Sequence, residues 1–315
     1  MSSRSYVIAV DAGGSHTRAA CVDLDGVVLA RVTGDGSHAA HRAVAAGFVR
    51  DAVARAISAA DLDPADAVYL MAGLAGLDSE DTGWTDEFTH VPGLTCPREH
   101  LNDAVVAHAG AFAGGPGVVV VGGTGSLLLA VNETGARFRD WDYHHHVGGA
   151  RHLAFDLVQR LLVGDDTIDD EDLVAAVLSA WAVADREGLR ARVVARHDLD
   201  PRVVEKDFGR LAPLITAAAD SSPLADAACR RLAAKATLGV RLLAAHIEAR
   251  PVPVALIGSM VTSPAMASRV AGELAAGEGE RCRVVEPALS PLGGAALLAL
   301  RHLDQDPVAA RLNGI

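Results

Sequence analysis

One structural pattern occurs twice in this chain: a short apolar strand, a glycine-rich turn, a second strand, another turn, a third strand and a helix. The first copy reads SYVIAVDA, GGSH, TRAACVDL, DLDG and VVLARVTG, and residues 41–60 follow with apolar side chains at helical spacing. The second copy reads GVVVVGG, TGS, LLLAV, NETG and ARFRDWD, and a helix containing Leu153, Leu157, Leu161 and Leu162 follows it. The two copies share no visible sequence repeat. This arrangement predicts an α/β protein made of two structurally duplicated domains.

The boundary between the domains is predicted in the glycine-rich segment AFAGGPG, residues 111–117. We expect residues 1–113 to form the N-terminal domain and residues 114–295 the C-terminal domain. The helical pattern of residues 170–249 would then be an insertion in the second domain. VPVALIGS and CRVVEP are further predicted strands. Residues 296–315 carry the last helix, a candidate to pack back on the N-terminal domain.

Charge and cysteine content narrow the class of protein. The 315 residues carry a formal net charge of −12. We expect neither nucleic acid nor an anionic membrane as a partner, because both would repel the protein. No apolar run reaches the ~18 residues that a membrane span needs. The four cysteines form no C-x-x-C pair, so we expect no disulfide or iron–sulfur ligation and a cytoplasmic setting.

Two glycine-rich turns are the candidate anion-binding sites of the chain. DAGGSHTR, residues 11–18, and GGTGS, residues 122–126, each join two strands, and such turns aim backbone N–H groups at an anion. An ordinary hairpin is the alternative for the first turn. In the second turn, LLLAV is too short for the helix that a dinucleotide fingerprint requires, so a hairpin is predicted there as well. Two phosphate-binding hairpins in duplicated domains indicate a nucleoside triphosphate held between the domains.

The order of motifs resembles that of the N-acetylglucosamine kinase / BadF-BadG-BcrA-BcrD ATPase family, within the actin-like sugar kinase superfamily. DAGGSHTR and GGTGS resemble its two phosphate motifs, LND its catalytic aspartate, residues 208–236 its helical lid, VALIGSM its adenosine motif and SPLGGAALLAL its closing helix. The resemblance covers nearly the whole chain. It implies two ribonuclease H-like domains with an interdomain nucleotide cleft, and a homodimer. It also implies ATP and Mg²⁺ as cofactors and phosphoryl transfer to a hydroxyl of a small sugar-like metabolite.

The resemblance implies roles for individual residues. Asp103 would be the general base, although a helix N-cap is the alternative for this residue. Asp11 would hold Mg²⁺ through water. The residues implied for the phosphates are Gly13, Gly14, Ser15, Thr17, Gly123, Thr124, Gly125 and Ser126. Gly258 and Ser259 would contact adenine or ribose, with Ser259 in place of a usual glycine.

The departures from the family pattern fall in the expected acceptor pocket. His38 follows Ser37 where relatives carry an asparagine, and Leu127 replaces another asparagine. Gly149 and Arg151 align with the family's acidic sugar-binding segment. A site without those polar groups should not favour plain N-acetylglucosamine. An amino sugar, a modified sugar, a cyclitol or a nucleoside fits, and the arginine suits an anionic group or different polar functions.

The histidine run in WDYHHHVGGARH allows three interpretations. If it is a strand, His144 and His146 face one side and could share a metal ion with further ligands. Its position after the second hairpin favours an acceptor-pocket role for the same two histidines, and a solvated loop is the third interpretation.

Two other functions compete with a kinase. The first is an ATPase activator of a reductive dehydratase, which needs cysteines that bridge an iron–sulfur cluster. The second is a non-catalytic regulator that binds a sugar or nucleotide and does not need Asp103.

Overall fold

The computed structural model describes residues 4–37, 42–77, 85–196, 199, 201–276, 281–305, 307, 309–312 and 314–315. Its strands are β1 (Tyr6–Ala12), β2 (His16–Asp23), β3 (Val28–Asp35), β4 (Ala67–Leu74), β5 (Arg98–Asn102), β6 (Gly117–Gly122), β7 (Ser126–Val131), β8 (Arg137–Arg139), β9 (Val252–Ile257) and β10 (Cys282–Val284). Its α-helices are α1 (Arg42–Ala59), α2 (Asp103–Ala111), α3 (Ala150–Val163), α4 (Glu171–Ala180), α5 (Arg186–Val194), α6 (Pro201–Gly209), α7 (Ala212–Ala217), α8 (Pro223–Ala244), α9 (Pro264–Ala275), α10 (Pro291–His302) and α11 (Ala309–Leu312). The strands form two five-stranded sheets, ordered β3-β2-β1-β4-β5 and β10-β9-β6-β7-β8.

The first sheet is mixed. β1 and β2 form the predicted antiparallel hairpin, β3 continues the meander, and β4 and β5 run parallel to β1. Every residue of β1 is buried because helices cover both of its faces. Ile8 and Val10 share one core with α1, whereas Val7 and Ala9 share the other core with α10. The alternation of neighbouring residues between two cores follows from the period of two in a strand.

Glycine allows α2 and α10 to pack closely on that second face. A Cβ atom built on Gly294 of α10 would lie under 3.0 Å from the backbone of Val106 and Gly110 in α2. A Cβ atom on Gly110 would likewise lie under 3.0 Å from the carbonyl oxygen of Ser290. Real Cβ atoms do not come that close, so the two helices need glycine at this contact.

The chain divides into two compact units. The first comprises Met1–Val119, Leu129–Arg137 and Glu286–Ile315, and the second comprises Val120–Leu128 and Phe138–Val285. The C-terminal helix α10 therefore belongs to the first unit, where it packs on α2 and β1. The domain limits inferred from the sequence stay a prediction.

Asp170, directly before α4, stabilises the start of α8 in the second unit by hydrogen bonds. Asp170 is buried, and its carboxylate accepts the Ser222 hydroxyl at 2.5 Å and the Leu224 amide at 3.0 Å. Its other oxygen accepts the amide and hydroxyl of Thr167. Burial alone would raise the pKa of Asp170, but the hydrogen bonds from Ser222, Thr167 and Leu224 outweigh it and lower that pKa. Asp170 is thus a structural anchor.

Most predicted elements are confirmed, and one is wrong. The strands and helices of both copies, β9, β10 and the helices α9 and α10 lie where the sequence patterns predicted them. The third strand of the second copy ends at Arg139, however, and a 3-10 helix (Asp140–Tyr143) replaces the rest of ARFRDWD. The Arg139 amide donates to the Asp142 carboxylate at 2.8 Å, a local hydrogen bond that ends the strand.

The lengths of the apolar helices and the state of the cysteines bear on the function of the protein. In the described part of the chain, no helix combines the length and the apolar character needed to cross a membrane. All four cysteines (Cys21, Cys96, Cys229 and Cys282) are free thiols, and each is buried.

Candidate active site

Asp11 lies at the end of β1 and is almost fully buried. The cross-strand register places it opposite Arg18 of β2, whose NH1 donates to Asp11 Oδ2 at 2.9 Å. Burial raises the pKa of the Asp11 carboxyl, and the Arg18 guanidinium opposes that effect. The first turn therefore begins at an ion pair between a buried carboxylate and an arginine.

The turn between β1 and β2 is backed by the segment after β3. A Cβ atom on Gly36 would lie under 3.0 Å from the Gly14 and Ser15 backbone, so this approach requires glycine. The Ser37 amide donates to the Gly13 carbonyl oxygen at 2.9 Å. Gly14 and Ser15 themselves are exposed, which leaves their backbone accessible to an anion.

Thr17 does not face solvent. It is completely buried, and its hydroxyl forms a 2.8 Å hydrogen bond with the Ser37 hydroxyl. The predicted direct contact between the Thr17 hydroxyl and phosphate has no geometric support here, and this hydroxyl instead fixes the loop that backs the turn. His38 lies outside the described residues.

Asp103 is the first residue of α2, directly after β5. The alternative interpretation of Asp103 as the helix cap is wrong: Asn102 is the N-cap, with its side-chain oxygen accepting the Ala104 amide at 2.9 Å. Gly73 of β4 makes this placement possible, because a Cβ atom there would lie 3.3 Å from Asp103 Cα and under 3.0 Å from Val106. Asp103 and Asp11 thus lie at the carboxyl ends of parallel strands, where open α/β sheets bind ligands.

The electrostatics of Asp103 suit proton transfer. Burial, and then the neighbouring negative charge of Asp11, raise its pKa to about 7, against the opposing backbone amides of Ala104 and Asp103. A carboxyl with a pKa near neutrality is matched to accepting a proton from a hydroxyl at physiological pH.

The second turn has the same backing as the first. A Cβ atom on Gly149 would lie under 3.0 Å from the carbonyl oxygens of Gly125 and Thr124. The Ala150 amide donates to the Gly123 carbonyl oxygen at 2.8 Å. Thr124 and Gly125 are exposed, as Gly14 and Ser15 are in the first turn. The structure thus brings the predicted phosphate-binding turn against the predicted acceptor segment.

The remaining predicted residues of this turn begin β7. Ser126 and Leu127 are both half-buried. Behind them, the Leu128 amide donates to Asp140 Oδ1 at 3.2 Å. Asp140 is completely buried, and burial raises its pKa to about 6 although the hydrogen bond from Leu128 and the charge of His145 oppose the shift. Asp140 links the start of β7 to the histidine run.

Gly258 and Ser259 follow β9 and lie against the second hairpin. Gly258 has a φ of +102°, and a Cβ atom on it would lie 2.5 Å from the Gly122 carbonyl oxygen. Both the left-handed backbone and the close approach require glycine. The Met260 amide also donates to the Gly122 carbonyl oxygen, at 3.2 Å, whereas Ser259 is exposed.

The histidine run is not a strand, so the alternation that paired His144 with His146 does not apply. His144 follows the 3-10 helix with a φ of +52° and is exposed, and His146 is exposed as well. His145 is the anchored member, because its Nε2 donates to the Lys235 carbonyl oxygen of α8 at 2.8 Å. In the described residues, no group of three or more His, Cys, Asp or Glu side chains could hold a metal ion.

Arg151 lies in the first turn of α3, and its charge is compensated by an ion pair with Glu205 of α6. The neighbouring His152 accepts the Gly149 amide on its Nδ1 at 3.1 Å. Burial and the positive charges of Arg151 and Lys235 lower the pKa of His152, which favours the neutral imidazole that this acceptor role needs. The arginine is therefore not an isolated positive charge.

Sequence reasoning missed four contributors to the site: Arg18, Gly36, Gly73 and Glu205. Arg18 stands within the quoted motif DAGGSHTR, and the antiparallel pairing of the two strands was the signal that could have placed it opposite Asp11. For Gly36, Gly73 and Glu205 no local signal existed, because each acts through a contact with a distant part of the chain.

The two sheets and their helices define the class of protein: this is the two-domain, ribonuclease H-like fold of actin-like ATPases and sugar kinases. A candidate N-acetylglucosamine kinase of Chromobacterium violaceum is 27% identical with a TM-score of 0.74, over 95% of this chain and 99% of that chain. A candidate N-acetylglucosamine kinase of Porphyromonas gingivalis is 16% identical with a TM-score of 0.69, over 95% and 99%. A ROK family glucokinase of Streptomyces griseus, solved with glucose and AMPPNP, is 19% identical with a TM-score of 0.60, over 94% and 100%.

The sequence also matches a family model: residues 8–143 match that of the BadF/BadG/BcrA/BcrD ATPase family. The resemblance inferred from the motifs is thereby confirmed. No curated protein sequence matches the chain.

Proposed function

We propose that this protein is an ATP-dependent kinase that transfers the γ-phosphate to a hydroxyl of a small sugar-like metabolite. The observation that carries the proposal is Asp103, a carboxylate that is not needed as the helix cap, beside Asp11, with its pKa raised to about 7. The similarity over nearly the full length to a candidate N-acetylglucosamine kinase supports it, as does the AMPPNP bound by a glucokinase of the same fold.

The two glycine turns would bind the phosphates of ATP. The exposed backbone of Gly14 and Ser15 in the first turn, and of Thr124 and Gly125 in the second, offers N–H donors that are held rigid by the loops behind them. The amides of Gly13 and Gly123 instead donate to the carbonyl oxygens of His16 and Gly125, so these two glycines would shape the turns. Rigid donors bind an anion without a further ordering cost. Gly258 and Ser259 would lie against the nucleoside, beside the second turn.

The residues present fit a magnesium ion. Asp11 and Asp103 are two neighbouring carboxylates, and Arg18 pairs with Asp11. Mg²⁺ prefers hard oxygen ligands, and one or two carboxylates suffice when phosphate and water complete its shell. Asp11 would hold the ion through water, where the ion would neutralise phosphate charge.

The reaction would then need little covalent help from the protein. The acceptor oxygen attacks the γ-phosphorus, the bond from that phosphorus to the β–γ bridging oxygen breaks, and ADP leaves with the bond electrons. Asp103 accepts the proton of the acceptor hydroxyl on a carboxylate oxygen. The two glycine turns would keep the phosphates in position.

The ion pair between Arg151 and Glu205 bears on the chemical class of the acceptor. Because Glu205 compensates Arg151, the pair offers N–H donors and carboxylate acceptors together rather than one positive charge. Such a pair suits the hydroxyl and amine groups of an amino sugar, a modified sugar, a cyclitol or a nucleoside better than an anionic group. Leu127 in place of an amide still argues against plain N-acetylglucosamine as the best acceptor.

The test is a screen of ATP consumption across sugars, amino sugars, cyclitols and nucleosides, with the wild type and Asp103→Asn side by side. We expect acceptor-dependent ADP formation by the wild type and a phosphorylated product identified by mass spectrometry. ATP turnover that no acceptor stimulates, or that survives unchanged in Asp103→Asn, would contradict a kinase with this base. The four buried cysteines also leave no thiol placed to bridge an iron–sulfur cluster, which weighs against a dehydratase activator.

A further inference from the structure

We propose that a cavity in the helical part of the second unit binds a small organic cation, an ammonium group carried on an apolar body. The cavity lies between residues 166–168, helix α4 and the start of α5, and its volume is about 410 Å³. Sites for small molecules usually have volumes of roughly 300–1,000 Å³. The cation site is independent of the proposed kinase function.

The cavity is separate from the candidate active site. Arg186, which lines the cavity, donates through NH1 to the Leu161 carbonyl oxygen near the end of α3, at 3.3 Å. Arg151 lies at the other end of the same helix, roughly 15 Å away along the helix axis. Neither glycine turn contributes a residue to the lining. A ligand in this cavity would therefore not take the place of a nucleotide or an acceptor.

Part of the lining is apolar. Val174, Ala175 and Leu178 follow Glu171 at helical spacing, so the four residues share one face of α4. Ile168, just before α4, also lines the cavity and is 74% exposed. Covering exposed aliphatic side chains with an apolar group is favourable, because it removes their surface from water. The lining thus suits a ligand with an apolar body.

The charge of the lining favours a cation. Asp166 and Glu171 contribute two carboxylates, whereas Arg186 contributes one guanidinium, so the lining has one net negative charge. The guanidinium is also engaged within the protein, because NH2 donates to Asp166 Oδ2 and NH1 to the Leu161 carbonyl oxygen. A site with this charge balance attracts a monocation and repels an anion.

Asp166 provides the hydrogen-bond acceptor for the cation. Its side chain is only 9% exposed, and among the described residues its Oδ1 has no hydrogen-bond partner. A buried carboxylate oxygen without a partner is unfavourable, and an ammonium has N–H donors that supply the missing hydrogen bond. Because Oδ1 is buried, a ligand reaches it when the neighbouring Arg186 side chain, which is 44% exposed, turns outward. The ligand and Arg186 therefore compete for one carboxylate.

The probe for this site is cyclohexylmethylammonium, with cyclohexylmethanol and cyclohexanecarboxylate as the neutral and anionic analogues of similar size. Dissociation constants are measured from the backbone amide shifts of α4 in ¹⁵N-labelled protein. We expect the wild type to bind the ammonium with a Kd of about 1 mM, an ordinary affinity for a ligand of this size. The alcohol should bind about tenfold more weakly, since it lacks the charge, and the carboxylate more weakly still.

Two substitutions of the ion pair should act in opposite directions. Asp166→Asn should weaken ammonium binding by about tenfold or more, because the charged acceptor is lost. Arg186→Ala should strengthen it by several-fold, because the competing cation is removed. Arg190→Ala is the matched control: Arg190 also lies in α5 and donates to a carbonyl oxygen of α3, that of Leu162 at 2.8 Å, but it does not line the cavity. An ion pair with a structural role alone would give no gain in Arg186→Ala.

Ala175→Phe tests the apolar part of the lining and carries the test if Asp166→Asn does not fold. Ala175 is exposed, so the added ring can occupy the cavity without entering the core, and we expect it to abolish ammonium binding. Ala180→Phe, at an exposed position of the same helix outside the lining, should bind as the wild type does.

Four results would overturn the proposal. They are no saturable binding of the ammonium by the wild type, equal affinity for the ammonium and the alcohol, unchanged ammonium affinity in Asp166→Asn or Ala175→Phe, and displacement of the ammonium by ATP. The last result would place the ammonium in the candidate active site instead of the cavity.

Discussion

The backbone amide of Ala150 donates to the carbonyl oxygen of Gly123 at 2.8 Å. The first unit contains the same arrangement, in which the Ser37 amide donates to the Gly13 carbonyl oxygen at 2.9 Å. In both units the donor follows a glycine that has no room for a Cβ atom. The duplicated turns are therefore supported in the same way, although the supporting segment follows β3 in one unit and begins α3 in the other.

Replacing Gly149 with alanine should displace the second turn. The added methyl group would meet backbone oxygens that cannot move aside, so we expect a loss of about 1–3 kcal/mol in unfolding free energy and weaker ATP binding. Urea unfolding and nucleotide titration measure the two effects. Gly47→Ala, in α1 with open space around the new methyl, is the matched control and should be neutral or slightly stabilising. Equal stability of the two variants would contradict the tight contact.

Asp103→Asn should separate ATP binding from phosphoryl transfer. The amide keeps the size of the carboxyl but cannot accept the proton of the acceptor hydroxyl, so we expect transfer to fall by about 10²-fold or more. The dissociation constant of ATP should stay within a few-fold of the wild-type value, since a carboxylate near the phosphates does not attract them. Calorimetry and coupled ADP release measure the two quantities. Turnover near the wild-type rate would remove Asp103 from the mechanism.

Arg151→Ala should act on the acceptor more than on ATP. The substitution removes donors from the Arg151–Glu205 pair and leaves the carboxylate of Glu205 without this partner. We expect the KM of the acceptor to rise by about tenfold, the value of one charge-assisted hydrogen bond, with a smaller change for ATP. Arg160→Ala, on the same helix and paired with Asp156 and Asp165, is the control. Equal changes in both KM values would place Arg151 outside the acceptor pocket.

Asp170→Ala should destabilise the protein without changing the candidate active site. Asp170 accepts hydrogen bonds from Ser222 and Leu224 at the start of α8, and its removal leaves these buried donors unpaired. We expect a loss of about 2 kcal/mol in unfolding free energy, measured by urea unfolding. Asp169→Ala changes the neighbouring exposed carboxylate and should have little effect. Similar losses in both variants would indicate a general charge effect instead of the hydrogen bonds.

His108 should make stability fall on acidification. It is buried in α2, its Nε2 donates to the Gly117 carbonyl oxygen at 3.0 Å, and burial lowers its pKa to about 4. Between that pKa and the value of about 6.5 in the unfolded chain, the unfolded state binds more protons, so stability decreases as pH falls. The loss should approach about 3 kcal/mol near pH 4 and should be absent above pH ~7.

The check is a comparison of urea unfolding against pH for the wild type and His108→Gln. Glutamine can still donate to the Gly117 carbonyl oxygen but does not titrate, so the difference between the two curves isolates the histidine. Parallel curves from pH 4 to 7 would show that His108 does not cause the acid dependence.

The elements of the fold were largely predictable because they depend on local patterns. The apolar runs of β1 and β2 and the helical spacing in α3 are signals that act within one element. The prediction of a strand through residue 142 was wrong for a local reason too. The Asp142 carboxylate accepts the Arg139 amide, and this hydrogen bond competes with strand pairing. Asp103 became a candidate base only through a family resemblance, because no local pattern distinguishes a base from a helix cap.

The sequence by itself determined the duplicated strand and glycine-turn architecture and the identity of the two turns, because hydrophobic period and glycine content are properties of neighbouring residues. The tertiary structure alone decided which side chains meet those turns. Gly36 against Gly14, Gly73 beside Asp103 and the pairing of Arg151 with Glu205 each join residues far apart in the chain. Their energies come from close packing and from burial of charge, and both exist only once the chain has folded.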